Sequence, residues 1–580
     1  MHANITPSHC TTRLDTCWAG FVRQVQLAEI DPAMPHARAL FLTMMLTLLA
    51  CFAASPVLAQ ALSSGTSPAD AERVQVIVTK PSTSSHKGTD AQMRDEFKKH
   101  AGETSGQAMS MTKAEVWSVP KSEVEALKKM AAQHGAVVTE LGPDSHHLFR
   151  APPADTTMSK KQKAIMDQAK ASKSTAGVKL VMGPAPEMLE HALTSDPKDG
   201  LPKISITLSD DKVLTINRTS VDIKPDRAIW RGTVEGTGAL VTLMWWPSGK
   251  MTGMVRHDGH IHAIRHIKDR LYAIVDMSEE KMPQEHAPMP ERMRVDDPNL
   301  RDESLVKQGD ASILRDMAAA KRPQSQAQPK GKQQLAYVPA GKPAAPKAKP
   351  EDPAAKGDPS SKDVVIDVIV AYTPKAASHY DDIKRDLIEF AIEEANESFR
   401  KSGLEHIKLR LVHAYQTNYV EKGTHFDHVW RFHDKDGYMD EIHGLRDKYR
   451  ADVAVLIVDD PNGCGLSTRV FASEDEAFSV VHHGCAAATY SLAHEIGHLI
   501  GARHDLNMDD TKTPFPYGHG YVRGTKWRDI MSYKESCGGC TRLPVWSGPK
   551  VIVNGEPAGS ADLNNSRVIM EQAARVAGFR

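Results

Sequence analysis

Between residues 52 and 463 the sequence has no cysteine, although the whole chain of 580 residues has seven. This absence excludes a disulfide-stapled framework from most of the chain. An excess of charge of one sign is also lacking, because 72 basic and 73 acidic side chains give a formal net charge of −1. Such a balance excludes a global field that would recruit nucleic acid or an anionic membrane. We therefore predict no nucleic-acid partner.

Long apolar runs are equally scarce, and the one uninterrupted run covers residues 40–61. A short positively charged stretch precedes it and small residues end it, which is typical of a secretory signal peptide. We therefore predict that residues 1–61 are a cleaved signal, with Met34 as a possible true start. The product is then secreted or periplasmic and keeps no stable membrane span. Two alternatives stay open: an uncleaved anchor, and a lipoprotein, because LLAC at 48–51 resembles a lipobox.

The rest of the chain divides by pattern into four parts, because 580 residues are too many for one core. Residues 62–177 predict a small α/β module. Residues 178–276 predict a mainly-β region, since apolar and polar residues alternate there between Asp, Gly and Pro turns. A Pro/Ala/Lys-rich linker, easily cut by proteases, is predicted for residues 277–362. Residues 363–580 alternate strand-like and helix-like stretches, which predicts an α/β domain.

The stretch AHEIGHLIGARHD carries the strongest chemical signal in the chain. His494 and His498 are four residues apart, so a helix places both side chains on one face. Gly501 ends that helix and lets the chain double back, which brings His504 to the same point. Three nitrogen ligands and one open position form the donor set of a catalytic Zn²⁺ ion. Glu495 then reaches the zinc-bound water and is the predicted general base for amide hydrolysis.

The complete spacing H-E-x-x-H-x-x-G-x-x-H is expected about 0.0002 times by chance in such a chain. Two alternatives to a peptidase stay open. A catalytically dead domain of the same fold would serve in binding or adhesion, although a binder has no need of Glu495. A hydrolase would use the same zinc donors on a non-peptide amide.

The motif, followed by Met531 in DIMSY, resembles the signature of the metzincin zinc peptidases. Asp505 after the third histidine resembles the adamalysin/reprolysin branch, and YGHGYV, DIMSY and CGGC are together most similar to bacterial peptidyl-Asp metalloendopeptidases. The resemblance covers about residues 363–580 and implies a metzincin catalytic domain, a mixed twisted sheet with an active-site helix. It implies a secreted zinc metalloendopeptidase made as a precursor, with protein or peptide substrates lying along a sheet edge near residues 467–473. No calcium site is assigned.

The resemblance also implies roles for residues around the metal. Met531 packs under the histidines, and Tyr533 assists the transition state by donating to the developing oxyanion, with a packed aromatic as the alternative. Asp505 holds the nearby backbone or is an ordinary carboxylate. Arg542, which follows CGGC, is expected to bind an acidic side chain after the cut. WSGP at 546–549 departs from the Ser-Asn-Pro turn of many relatives, which affects the expected wall of that pocket.

Four cysteines remain beyond the predicted signal, an even number that indicates two disulfides in an exported chain. They are Cys464, Cys485, Cys537 and Cys540. Three connectivities are open, and a structural bridge within CGGC is favoured over a redox or metal pair. Several metzincins block their zinc with a pro-region thiol, which residues 62–463 do not contain. The pro-region must therefore assist folding, cover the cleft, or offer a carboxylate or histidine to the metal.

Overall fold

Three successive modules make up the described part of the chain in this computed structural model, and the last of them carries the histidine motif. The structure describes residues 72–80, 87–102, 106–142, 145–195, 203–285 and 363–580. The predicted signal peptide and nearly all of the predicted linker lie outside these ranges. None of the described helices has the length and apolar character that crossing a bilayer requires.

The first module is an antiparallel sheet of four strands in the order β2-β3-β1-β4, packed with two helices. Its elements are β1 (Arg73–Thr79), α1 (Lys87–Ala101), β2 (Gln107–Ala108), β3 (Glu115–Pro120), α2 (Val124–Gln133) and β4 (Val137–Glu140). Alternate residues of β1, Val76 and Val78, enter the same core as Leu127 and Ala131, which are four apart in α2. The two periodicities therefore meet in one small core.

The second module is one antiparallel sheet of eight strands in the order β5-β12-β11-β10-β9-β8-β7-β6. Its elements are α3 (Lys160–Ala171), β5 (Thr175–Met182), α4 (Pro186–Thr194), β6 (Lys203–Thr207), β7 (Val213–Ile223), β8 (Ala228–Val234), β9 (Leu240–Trp245), β10 (Met251–His257), β11 (His260–Lys268) and β12 (Leu271–Ser278). Adjacent residues of β8 point to opposite faces of the sheet, so Ile229 enters one hydrophobic core and Trp230 enters another. Both faces of this sheet are therefore buried against apolar neighbours.

The third module is built on a five-stranded sheet in the order β14-β13-β15-β17-β16, with only the edge strand β16 antiparallel. Its main elements are β13 (Val364–Tyr372), α5 (Pro374–Ala377), a π-helical turn (Lys384–Ile388), α6 (Glu389–Lys401), β14 (Ile407–Gln416), α7 (His425–His433), α8 (Glu441–Tyr449), β15 (Val453–Val458), β16 (Gly465–Ser467), β17 (Phe478–His482), α9 (Ser491–Ile500) and α10 (Asn565–Val576). Every residue of β15 is buried, as parallel strands covered on both faces require.

Short strands follow the motif helix α9 and complete the third module. They are β18 (Val522–Arg523), β19 (Trp527–Arg528), β20 (Thr541–Arg542), β21 (Gly548–Val553) and β22 (Glu556–Ala558). Strands β18, β19 and β20 form one small sheet, in which Arg528 is the register partner of Arg542. This pairing fixes two cations side by side.

The second and third modules share one hydrophobic core, which joins Ile229 of the eight-stranded sheet to Ala391 and Phe399 of α6. Charges match across the same contact. Arg231 pairs with Glu393, and Arg256 lies 3.6 Å from Glu394. The eight-stranded sheet is therefore packed onto the third module.

Residues 277–285 differ from the linker expected at this position. Strand β12 continues to Ser278, and residues 279–285 lie against the third module rather than leading away from it. Sequence pattern missed this because Pro283 and the charged residues around it read as linker composition.

Candidate active site

Three histidine side chains converge at the end of α9. The Nε2 atom of His494 lies 3.1 Å from those of His498 and His504, and the latter two Nε2 atoms are 2.9 Å apart. Gly501 has φ of 132°, which favours glycine, and turns the chain so that His504 reaches the other two. A Cβ at that position would also meet Phe515 at 2.8 Å.

The hydrogen bonds of the Nδ1 atoms fix the protonation state of the converging Nε2 atoms. Nδ1 of His494 lies 2.9 Å from the carbonyl oxygen of Ile530, and Nδ1 of His498 lies 2.9 Å from that of Ala502. A carbonyl only accepts, so both Nδ1 atoms carry the proton and both Nε2 atoms present lone pairs to each other. Lone pairs at this distance repel unless a cation lies between them. The donor set therefore fits a zinc ion.

Burial also favours metal binding over protonation. It lowers the pKa of His494 to about 3 and holds those of His498 and His504 well below the ordinary range. Neutral imidazole is the form that binds a metal. His494, His498 and His504 are thus kept in the neutral form that binds a metal.

Glu495 lies between the histidines and the edge strand β16. Its Oε2 accepts a hydrogen bond of 2.6 Å from Ser467 Oγ, while its Oε1 is buried and has no hydrogen-bond partner among the described atoms. Burial, and then the nearby Glu285 carboxylate, raise the pKa of Glu495 well above its usual value. Gly465 makes room for this carboxylate, because a Cβ there would lie 2.6 Å from Oε1.

Met531 and Trp546 lie behind the active-site helix. A Cβ on Gly497 would meet the Trp546 ring at 2.6 Å and Met531 Sδ at 3.3 Å, so this glycine lets both pack against α9. Trp546 is fully buried and donates from Nε1 to Ser398 Oγ at 2.9 Å. The tryptophan of WSGP is therefore a core residue and not part of a substrate pocket wall.

Asp505 and Tyr533 connect the third histidine to the methionine turn. Asp505 Oδ2 accepts from the backbone N–H of Tyr533 at 3.0 Å, and its Oδ1 accepts from Ser536 Oγ at 2.7 Å. The Tyr533 ring centroid lies 4.6 Å from that of His504. The Tyr533 hydroxyl is buried without a hydrogen-bond partner in the described structure. Burial and then Glu285 raise its pKa well above 10, so the phenol keeps its proton.

Arg542 lies beside the same site and is held by backbone acceptors. It donates from Nη1 to Thr489 O at 2.9 Å and from Nη2 to Ser532 O at 3.1 Å. Its Nη1 also donates to Glu285 Oε1 at 2.6 Å. The arginine therefore already holds a carboxylate close to the histidines.

Both disulfides brace this region. One joins Cys464 to Cys485, and the other joins Cys537 to Cys540. This is the pairing that the sequence favoured. Cys464 directly precedes β16, and Cys540 directly precedes β20, which carries Arg542. The bridges therefore stabilise the edge strand and the arginine.

Sequence reasoning missed two side chains that reach the site. Ser467 lies 28 positions before Glu495, and Glu285 lies 206 positions before Ser491, which donates to it. Neither belongs to a local spacing motif, so no pattern along the chain marks them. The lack of cysteine in residues 62–463 was only an indirect signal, because it left a carboxylate or histidine from the predicted pro-region as one option, whereas Glu285 lies in the predicted linker.

Comparison with known proteins agrees with this geometry. Residues 362–546 match a family model described as metallo-peptidase family M12. A peptidyl-Asp metalloendopeptidase from Xanthomonas campestris is 32% identical over 387 residues, which cover 64% of this chain and 80% of that protein. The chain belongs to this metallopeptidase family. It is a zinc metalloendopeptidase, a hydrolase of the metzincin type, and its catalytic module has the corresponding fold.

Two further relatives bear the same name. Peptidyl-Asp metalloendopeptidases from Stenotrophomonas maltophilia strains R551-3 and K279a are 28% and 29% identical, and each alignment covers 72% of this chain and 92% of the relative. A solved structure, metalloproteinase-II from Bacteroides fragilis, aligns over 59% of this chain and 86% of its own with 10% identity and a TM-score of 0.31. That score is too low to support an argument.

Proposed function

We propose that this metalloendopeptidase is made as a precursor for export, and that it cuts peptide bonds before an acidic residue. The convergence of the His494, His498 and His504 Nε2 atoms, with the unpartnered Glu495 Oε1 beside them, carries the proposal. These three histidines would hold the zinc ion. Zinc bound there would polarise the scissile carbonyl and lower the pKa of an attacking water.

Glu495 supplies the proton transfers in this proposal. Its raised pKa lets the carboxylate take a proton from water and later give it to the leaving amine. Ser467 holds Oε2 and leaves Oε1 free for this work. The Tyr533 hydroxyl, which keeps its proton, donates a hydrogen bond to the developing oxyanion.

The edge strand and Arg542 position the substrate. An extended peptide adds to a free sheet edge by main-chain hydrogen bonds, and β16 is such an edge. Arg542 takes the acidic side chain, because a guanidinium in a desolvated site binds a carboxylate strongly. The name of the relatives, peptidyl-Asp metalloendopeptidase, supports this preference.

Glu495→Gln tests the assignment of the general base. We expect the variant to keep one zinc ion per chain and to lose peptide hydrolysis by about 100-fold or more. Glu441→Gln, an exposed glutamate at the start of α8, is the matched control and should retain both. Full activity of Glu495→Gln would contradict the mechanism. If the wild-type chain binds zinc but hydrolyses no peptide, the binding or adhesion alternative is favoured.

Export is tested separately. Protein recovered from the culture medium or periplasm is subjected to N-terminal sequencing. We expect a first residue close to Ala59 or Ala61, without a lipid on Cys51. Recovery of an intact or lipidated amino terminus would contradict a cleaved, unlipidated signal.

A further inference from the structure

Residues 279–285, here called the latch segment, lie on the active site. Lys534 Nζ donates to the carbonyl oxygens of Glu280 and Met282 at 2.8 and 2.9 Å. The backbone N–H of Cys464, which precedes the edge strand β16, donates to the Gln284 carbonyl oxygen at 2.8 Å. The latch segment thus takes one main-chain donor directly beside β16, the edge where a peptide substrate would add.

Glu285 places its carboxylate next to the zinc donors. Oε1 accepts from Arg542 Nη1 at 2.6 Å and from Ser491 Oγ at 2.8 Å. Oε2 is buried and has no hydrogen-bond partner in the described structure. Ligand atoms of Glu285, His494 and Glu495 all lie within 4.8 Å of one another. One carboxylate oxygen therefore fills the arginine site, and the carboxylate lies beside the catalytic centre.

Glu279 makes a second contact of the same kind. Its Oε1 accepts from Arg528 Nη2 at 3.0 Å and from the backbone N–H of Arg542 at 3.0 Å. Arg528 and Arg542 are register partners on β19 and β20. Two glutamates of the latch segment thus bind two neighbouring arginines.

Within the described third module, no carboxylate lies within 4.0 Å of either guanidinium group. Each arginine residue is only 3% exposed, and among the described residues the only carboxylates within 4.0 Å are Glu279 for Arg528 and Glu285 for Arg542. Buried cations in proteins are paired, because an unpaired one is costly to desolvate. When the latch segment is absent, both guanidinium groups lose this counter-charge and become available to an acidic ligand.

We propose that the latch segment is an internal acidic pseudosubstrate, and that Arg528 forms a second acidic subsite beside Arg542 in the active enzyme. This rests on the proposed function, in which Arg542 receives the acidic residue after the cut. Acidic side chains on alternate residues of an extended peptide are about 7 Å apart on one face. An extended substrate that carries a second acidic residue about two positions from the first can therefore replace both glutamates of the latch segment.

The first test uses the full-length precursor and does not depend on hydrolysis. Zinc transfer to a chromogenic chelator is timed for the wild type and for Glu285→Gln, Glu279→Gln and Glu280→Gln. Glu280 is the matched control, because it is exposed and belongs to the same segment. We expect release at least 10-fold faster in Glu285→Gln, faster release in Glu279→Gln, and an unchanged rate in Glu280→Gln. Equal rates in all four proteins would overturn the latch.

The second test examines Arg528 in the activated enzyme. Peptides with aspartate after the cut are compared with and without a second acidic residue nearby. We expect the second acid to raise kcat/KM at least 10-fold, an effect lost in Arg528→Gln and kept in Arg528→Lys. Arg523→Gln is the control, because Arg523 already pairs with Glu556 in the same module. Retention of the effect in Arg528→Gln would remove the second subsite.

These outcomes are distinguishable from failure of the proposed function. A wild-type chain that binds no zinc, or that cuts no peptide after activation, contradicts the proposed function whatever the latch variants do. If the wild-type chain binds zinc and cuts peptides, but its zinc-release rate is unchanged by Glu285→Gln and Glu279→Gln, only the latch is contradicted.

Discussion

Replacing Gly465 by alanine should displace the general base without touching the zinc ligands. The added methyl carbon would lie 2.6, 2.7 and 2.9 Å from Oε1, Cγ and Cδ of Glu495. Carbon atoms pack best about 3.5 Å apart, so the side chain or the edge strand must shift by about 0.8 Å. Glu495 has little room to yield, because it is buried and bound by Ser467 at 2.6 Å.

A displacement of this size has a kinetic consequence. A misplacement of about 1 Å in a catalytic group can cost about 100-fold in rate, and we expect Gly465→Ala to lower kcat by about 10- to 100-fold. The assay measures kcat on a fluorogenic aspartyl peptide together with zinc content. Gly444→Ala is the control, because a Cβ there meets nothing within 4 Å. A Gly465→Ala enzyme with full zinc content and a kcat within about twofold of the wild type would refute the reasoning.

Three other predictions concern the hydroxyl donor, activation and pH. Tyr533→Phe should lower kcat about 10-fold with KM little changed, whereas an unchanged kcat would leave the residue a packing role. Thiol-modifying reagents should not activate the precursor, because residues 62–463 hold no cysteine, while limited proteolysis within 316–362 should; activation by a mercurial alone would contradict this. Burial raises the pKa of Asp386 from 3.8 to about 7, although Lys250 lies 3.3 Å away. The folded state therefore binds the extra proton, so this contribution to stability is complete below pH 3.8 and is lost as the pH rises to about 7. The urea midpoint of the precursor should fall between pH 5 and pH 8 by more than that of Asp386→Asn, and equal slopes would contradict the assignment.

The local parts of the site were predictable from the sequence. The spacing of His494, His498 and Gly501 follows from the pitch of one helix and its end, so neighbouring residues specify it. The parallel strands were visible as continuous apolar runs, as in β15. The favoured cysteine pairing also appears in the structure.

The remaining parts depend on tertiary contacts that no local pattern records. Ser467 meets Glu495 only because the edge strand folds back beside α9. Trp546 was placed near a substrate wall by analogy, yet it fills the space that Gly497 leaves behind the helix. Glu285 lies in a polar, proline-containing stretch whose composition is typical of a linker. In the folded chain it is buried against Arg542, which is distant in sequence. Charge pairing across such distances becomes visible only in the folded chain.

The contact between the eight-stranded sheet and α6 has a consequence for the order of folding. Glu389, Glu393 and Glu397 are four residues apart on this helix, a spacing at which like charges repel one another. Arg227, Lys224 and Arg231 of the preceding module lie against them. Because domains generally fold from the amino terminus during synthesis, this basic surface is complete before the acidic helix emerges.

The eight-stranded sheet would then assist the folding of the catalytic module. It pairs with acidic side chains of α6 and shares a hydrophobic core with this helix while the catalytic module folds. A catalytic module that later loses this partner keeps its acidic face without the surface that helped to form it. Its working lifetime would be set by how slowly it unfolds rather than by how readily it refolds.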